Sequence, residues 1–124
     1  MNKILLIITV MSSFFSAKAQ QDNTIKILTA SEFNEGINNN DVQLVDVRTA
    51  KEFNDGAIKN ALNIDFFQQE IFNEEFGKLN KEQPVYLYCR SGNRSHQAAL
   101  KLEAMGFKEI YDLKGGYMGW PDKK

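Results

Sequence analysis

Apolar and polar positions change period several times along this chain, and each change marks an element. Short β-branched or alternating runs cover residues 25–28, 42–47, 61–64, 84–88 and 110–113, which reads as five strands. Between them the apolar spacing turns helical. Thr29-x-x-Glu32 is a capping box that opens a helix to about residue 38, with Phe33 and Ile37 as its core stripe. Thr49-x-x-Glu52 is a second box, opening a helical turn that ends at Asp55-Gly56. Phe67, Ile71, Phe72, Phe76 and Leu79 mark a longer amphipathic helix. From Ser95 onward, Ala98, Ala99, Leu102 and Met105 recur at helical spacing until Gly106, with Ser95 as the expected cap. Residues 115–120 form a turn or short helix. Strands that alternate with helices predict an α/β fold whose mostly parallel sheet is covered on both faces.

The first nineteen residues stand outside that pattern. Lys3 precedes an apolar run over 4–15, and Ala17-Lys18-Ala19 supplies an A-x-A cleavage signature. The run is shorter than the ~20 residues a spanning helix needs. We therefore expect a secretory leader over residues 1–19, an exported and periplasmic location, no stable membrane anchor, and a single domain over residues 20–124. Composition is that of an ordinary globular domain, 43% hydrophobic and 25% charged, with a net charge of −1. Removing the leader takes two lysines and no acid, so the remainder is more acidic. No basic run interleaved with aromatics suggests nucleic acid. No metal-ligand constellation is present, and no cofactor is expected.

Chemistry concentrates in Cys89-Arg90-Ser91-Gly92-Asn93-Arg94-Ser95, which holds the one cysteine of the chain. A lone cysteine cannot form an internal disulfide, and in an exported protein it points to a reactive thiol or an intermolecular partner. It follows a strand and precedes a helix, so backbone N–H groups and the positive helix terminus converge on the sulfur. Arg90 and Arg94 add full charges, and together these favour the thiolate. Gly92 is expected to take a positive φ and orient the loop amides. Ser91 and Asn93 shape the turn or touch a ligand, and the Ser95 hydroxyl is within reach of the sulfur. Asp46 and Arg48 read as a supporting ion pair at a strand end and Trp120 as core or pocket wall, while His96, one past Ser95 on the helix, is not expected to act as a general base.

Three segments, in order and at matching spacing, resemble a single-domain rhodanese. They are Leu44-Val45-Asp46-Val47-Arg48-x-x-x-Glu52-Phe53-x-x-Gly56-x-Ile58-x-x-Ala61-x-Asn63-Ile64, then Tyr88-Cys89-Arg90-Ser91-Gly92-Asn93-Arg94-Ser95, then Leu113-Lys114-Gly115-Gly116-x-x-x-Trp120. Ala57 departs from the histidine many members carry there, a change expected to alter packing and not chemistry. The resemblance implies a five-stranded parallel sheet flanked by helices, with the loop cradling a sulfur. It also implies a sulfurtransferase. Cys89 would attack the outer sulfur of a small anionic donor such as thiosulfate, releasing sulfite. The Cys89 persulfide would then pass its sulfur to cyanide, to a thiol, or to a protein acceptor.

Two other readings use the same residues. One is a non-catalytic persulfide carrier or redox-sensing module. The other is a cysteine-dependent phosphatase or arsenate reductase, which uses a similar cradle with its arginine six positions after the cysteine. Here that place is Ser95 and the arginine is Arg94, so the shorter loop favours sulfur over a phosphoryl group. A solitary thiol in an oxidising compartment is exposed to mixed disulfides and sulfenic acid, so a persulfide resting state is expected.

Overall fold

The computed structural model describes residues 23–39 and 41–123; the expected leader over residues 1–19 lies outside them. The elements run β1 (Ile25–Leu28), α1 (Ala30–Asn39), β2 (Gln43–Asp46), α2 (Ala50–Asn54), β3 (Leu62–Asn63), α3 (Gln69–Gly77), β4 (Val85–Tyr88), α4 (Asn93–Ala104), β5 (Ile110–Leu113) and a 3₁₀ turn at Tyr117–Gly119. Five strands form one sheet in the order β1-β5-β4-β2-β3, every neighbouring pair parallel. This is the α/β architecture the alternating periods predict.

Both predicted capping boxes form. Thr29 Oγ1 accepts the Glu32 N–H at 3.2 Å while Glu32 Oε1 accepts the Thr29 N–H at 2.9 Å. Thr49 and Glu52 repeat the exchange at 3.2 and 3.0 Å. Each satisfies donors that an open helix terminus leaves without partners.

β4 is central and buried along its whole length, which splits its side chains between two cores. Val85, Leu87 and Cys89 point to one face, where Phe72 and Phe76 of α3 and Ala98, Ala99 and Leu102 of α4 cover them. Tyr86 and Tyr88 point to the other, against Phe33 of α1, Ile58, Leu113 and Trp120. The α1 side also carries a cavity of about 990 Å³, lined by Asn34, Leu44, Lys59, Asn60, Trp120 and their neighbours. None of the cysteine-loop residues lines it.

Two expectations about helices need correction. Phe67 and Ile71 do not belong to the core stripe: they are 63% and 55% exposed. α3 begins only at Gln69, so Phe67 lies before it, and α3 turns Phe72 and Phe76, not Ile71, inward. Ser95 does not cap its helix. α4 starts two residues earlier, with Gly92 at the N-cap position and no side-chain cap bond, which puts Ser95 inside the first turn.

Candidate active site

Parallel sheets present ligands beyond the carboxyl ends of their strands, and Cys89 sits there as the residue after β4. Its side chain continues the alternation of Val85 and Leu87 toward α4. The loop then turns at Gly92, whose φ of 119° is open to glycine and strained for other residues. That conformation directs the Gly92 N–H at the sulfur, N to Sγ 3.1 Å. The Cys89 thiol in turn lies 3.5 Å from the hydroxyl of Ser95. By its place in the helix, the first turn of α4 leaves the N–H groups of Asn93, Arg94 and Ser95 without intrahelical acceptors.

The sulfur is less accessible than the sequence suggests. Cys89 is 1% exposed, because the alternation of a doubly covered strand carries it into the core. Arg90, Ser91 and Asn93 are exposed above it. Entry to the sulfur therefore passes through the loop. The ring of amides is also narrower than expected, since among the described residues one N–H, that of Gly92, bonds to Sγ.

The two loop arginines separate. Arg90 is exposed. Arg94 already holds an anion from the protein: its Nη1 and Nη2 donate to Glu52 Oε1 and Oε2 at 2.7 and 3.0 Å. The Arg94 guanidinium and the two Thr49 donors hold the Glu52 carboxyl well down, at about 2 against an ordinary 4.5, although partial burial opposes this. The same contact raises the pKa of Arg94. Glu52 thus caps α2 and ties it to the loop. Its capping role was legible in the sequence, but its pairing with a residue 42 positions away was not.

Asp46 and Arg48 form the expected pair, and it is buried. Arg48 Nη2 donates to Asp46 Oδ2 at 2.6 Å and Nε to Oδ1 at 2.9 Å. Nη2 also reaches the Gly56 carbonyl at 2.7 Å. Burial works against the charge on Arg48, but the Asp46 carboxylate outweighs it and the guanidinium pKa is raised. Its planar face lies 4.4 Å from the Tyr117 ring centroid. Tyr117 and Met118 donate their N–H groups to the carbonyls of Cys89 and Arg90, at 2.8 and 3.0 Å. The chain Asp46–Arg48–Tyr117 therefore braces the cysteine loop from behind. Gly116 makes this possible: a Cβ there would lie 2.5 Å from Arg90 carbonyl atoms.

One further acid belongs to this neighbourhood. Asp112 of β5 is 3% exposed and its Oδ1 has no hydrogen-bond partner. Burial pushes its pKa up, while the Ser95 hydroxyl and His96 draw it back. Sequence reading passed over it, although an acid inside Ile110-Tyr111-Asp112-Leu113 is itself a signal. Trp120 is in the core, as expected, and His96 is exposed. Among the described residues no cluster of three metal-ligating side chains occurs.

Comparison with known proteins agrees with this geometry. The family model of the rhodanese-like domain matches residues 29–123. A Bacillus subtilis (strain 168) protein named Uncharacterized protein YqhL is 37% identical over 103 residues, 83% of this chain and 78% of that one. Thiosulfate sulfurtransferase GlpE of Coxiella burnetii is 35% identical over 86 residues, 69% of this chain and 78% of that one. The tRNA uridine(34) hydroxylase of Pelagibacter ubique is 32% identical over 105 residues, 85% of this chain, which spans only 34% of that protein. The crystal structure of a rhodanese-like domain protein from Staphylococcus aureus superposes with a TM-score of 0.69 at 29% identity, covering 80% of this chain and 96% of that one. With its parallel five-stranded sheet and its cysteine loop at the end of the central strand, the chain belongs to the rhodanese-like domain family, in which its named relatives include sulfurtransferases.

Proposed function

We propose that this protein is a rhodanese-type sulfurtransferase that moves sulfane sulfur from thiosulfate, or a similar small anion, to cyanide or a thiol. The observation that carries this reading is the Gly92 N–H at 3.1 Å (N to Sγ) from Cys89, at the mouth of a helix whose first amides have no intrahelical acceptors. Cys89 Sγ attacks the outer sulfur of thiosulfate; the S–S bond of the donor breaks, and sulfite leaves with its electron pair. The Cys89 persulfide carries the negative charge on its outer sulfur, where the helix terminus and loop amides stabilise it. Attack by the acceptor on that sulfur restores Cys89. Arg90, Ser91 and Asn93 at the rim are the residues placed to meet the donor. Arg94 acts through Glu52 to fix the loop, and Asp46 and Arg48 hold it from behind.

The test is thiosulfate:cyanide transfer by purified protein, with Cys89→Ser alongside. Thiocyanate production that Cys89→Ser abolishes is expected; production that survives the substitution rules the mechanism out. The burial of the sulfur favours a second reading, a carrier that holds its persulfide for a protein acceptor. An intact mass one sulfur heavier on untreated protein, with negligible turnover on small acceptors, would select it. We also infer export by the leader at residues 1–19, on its sequence pattern. The N-terminal sequence of the protein recovered from its compartment checks this, with Gln20 as the expected first residue.

A further inference from the structure

The cysteine loop leaves β4 with β5 on one side of it and β2, then β3, on the other. Segments that follow the strands of a parallel sheet emerge at one end of it. The chain after β3 and the chain after β5 therefore flank the loop from opposite sides, and each carries an exposed apolar side chain. Phe67, after β3, is 63% exposed, and the Arg94 guanidinium lies 5.3 Å from its ring centroid. Its backbone is held from behind. The Phe67 N–H donates to Asp65 Oδ1 at 2.8 Å, the Phe66 N–H donates to the Val47 carbonyl at 3.0 Å, and the Phe66 ring packs on Phe72. Met118, after β5, is 56% exposed and donates its N–H to the Arg90 carbonyl at 3.0 Å. Single exposed apolar residues are ordinary on a protein surface. These two matter because each touches an arginine of the loop.

The space between the flanks limits what can fill it. β3 and β5 are three strand spacings apart, about 14 Å in all. Cyanide is far too small to bridge that span. Cys89 is 1% exposed, so an acceptor sulfur must reach down into the loop. An extended peptide meets both conditions. Its side chains alternate and its residues advance about 3.3 Å each, so the residues two before and two after a cysteine lie on the cysteine's own face, about 13 Å apart. The rim between the flanks is cationic: Arg90 is exposed and joins none of the ion pairs among the described residues, while Glu52 is taken by Arg94. That charge favours a segment with acidic residues and opposes a basic one.

We propose that the sulfur acceptor is a cysteine in an extended, acidic segment of another polypeptide, with apolar side chains two residues to either side of it that seat on Phe67 and Met118. The proposal rests on the transfer reading above and names its acceptor. The acceptor thiolate attacks the outer sulfur of the Cys89 persulfide. The bond from that sulfur to Cys89 Sγ breaks, and its electron pair stays on Cys89 as the thiolate. The acceptor leaves as the persulfide. One sulfur moves, charge is conserved, and neither oxidant nor reductant is needed.

Two peptides of one composition serve as probes, acetyl-Phe-Glu-Cys-Glu-Leu-amide and acetyl-Glu-Phe-Cys-Leu-Glu-amide. Only the first places its apolar groups on the cysteine's face when extended. With the full chain and thiosulfate as donor, transfer is read as the gain of one sulfur by the peptide. The first peptide should be the better acceptor by about tenfold, the order expected for burying part of an aromatic or aliphatic side chain. Phe67→Ser and Met118→Ser, each normalised to transfer to cyanide, should remove most of that preference. Leu100→Ser, which deletes an exposed apolar side chain two turns along α4 from the loop, should keep it. Equal rates for the two peptides with wild type, or a preference that survives both flank substitutions, overturns the proposal. The same peptides titrated into Cys89→Ser and followed by NMR shifts read the flanks without any chemistry, and the first should bind about tenfold more tightly. Thiocyanate production without peptide preference defeats the acceptor proposal alone. Preferential binding to Cys89→Ser, when the wild type makes no thiocyanate, defeats the transfer reading alone.

Discussion

Arg94 of the cysteine loop and Glu52 of α2 clasp one another through two hydrogen bonds, at 2.7 and 3.0 Å. The contact decides what the arginine is for. A guanidinium free to bind a tetrahedral anion, as a phosphatase requires, would point into the loop with its donors open. Here the forked face is taken by a carboxylate from another element. The charge remains next to the sulfur while the geometry is fixed, which suits a loop that holds one small atom.

Glu52→Gln should therefore loosen the loop and the start of α2 together. The loss of one charge-assisted pair and part of a capping box amounts to about 1–2 kcal/mol, read from the urea midpoint at neutral pH. The pH dependence has a defined sign. The carboxyl is held at about 2 in the folded chain against 4.5 ordinarily. Its contribution is present above 4.5 and disappears as pH falls through about 2. The difference between wild type and Glu52→Gln should shrink across that window and be constant above it.

The pair of Asp46 and Arg48 should show the asymmetry of buried ions. Arg48→Met leaves a carboxylate unpaired in the core and should cost about 3–5 kcal/mol in chemical denaturation. Combining it with Asp46→Asn should cost less than Arg48→Met alone, because the stranded charge is gone. Additive losses in the double variant would contradict the pairing.

Gly116→Ala should damage the loop from outside it. The new methyl group meets the Arg90 backbone at 2.5 Å with φ at +60°, and a few kcal/mol of strain or a displaced loop should follow. Sulfur transfer should fall with it. Gly119→Ala, where a Cβ meets nothing within 4 Å, should stay within about 0.5 kcal/mol of wild type.

The corrected face of α3 gives a simple comparison. Phe72→Ala empties a fully buried site and should cost about 3–5 kcal/mol. Ile71→Ala, one residue earlier and exposed, should change the thermal midpoint little.

The sequence determined the elements of this protein and the class of its fold. Capping boxes, strand-length apolar runs and a change of period are local properties, and they placed β1 and both boxes as observed. They also put Cys89 after a strand and before a helix, and predicted the positive φ at Gly92. Tertiary structure decided what local pattern cannot express. Which of Phe67, Ile71, Phe72 and Phe76 are buried depends on where α3 begins and how it lies on the sheet. The depth of Cys89 follows from β4 being covered on both faces. The partner of Arg94 and the brace from Arg48 to Tyr117 both join residues far apart in sequence. A side chain's charge is written in the chain, but the partner that sets its role is chosen only when strands and helices pack.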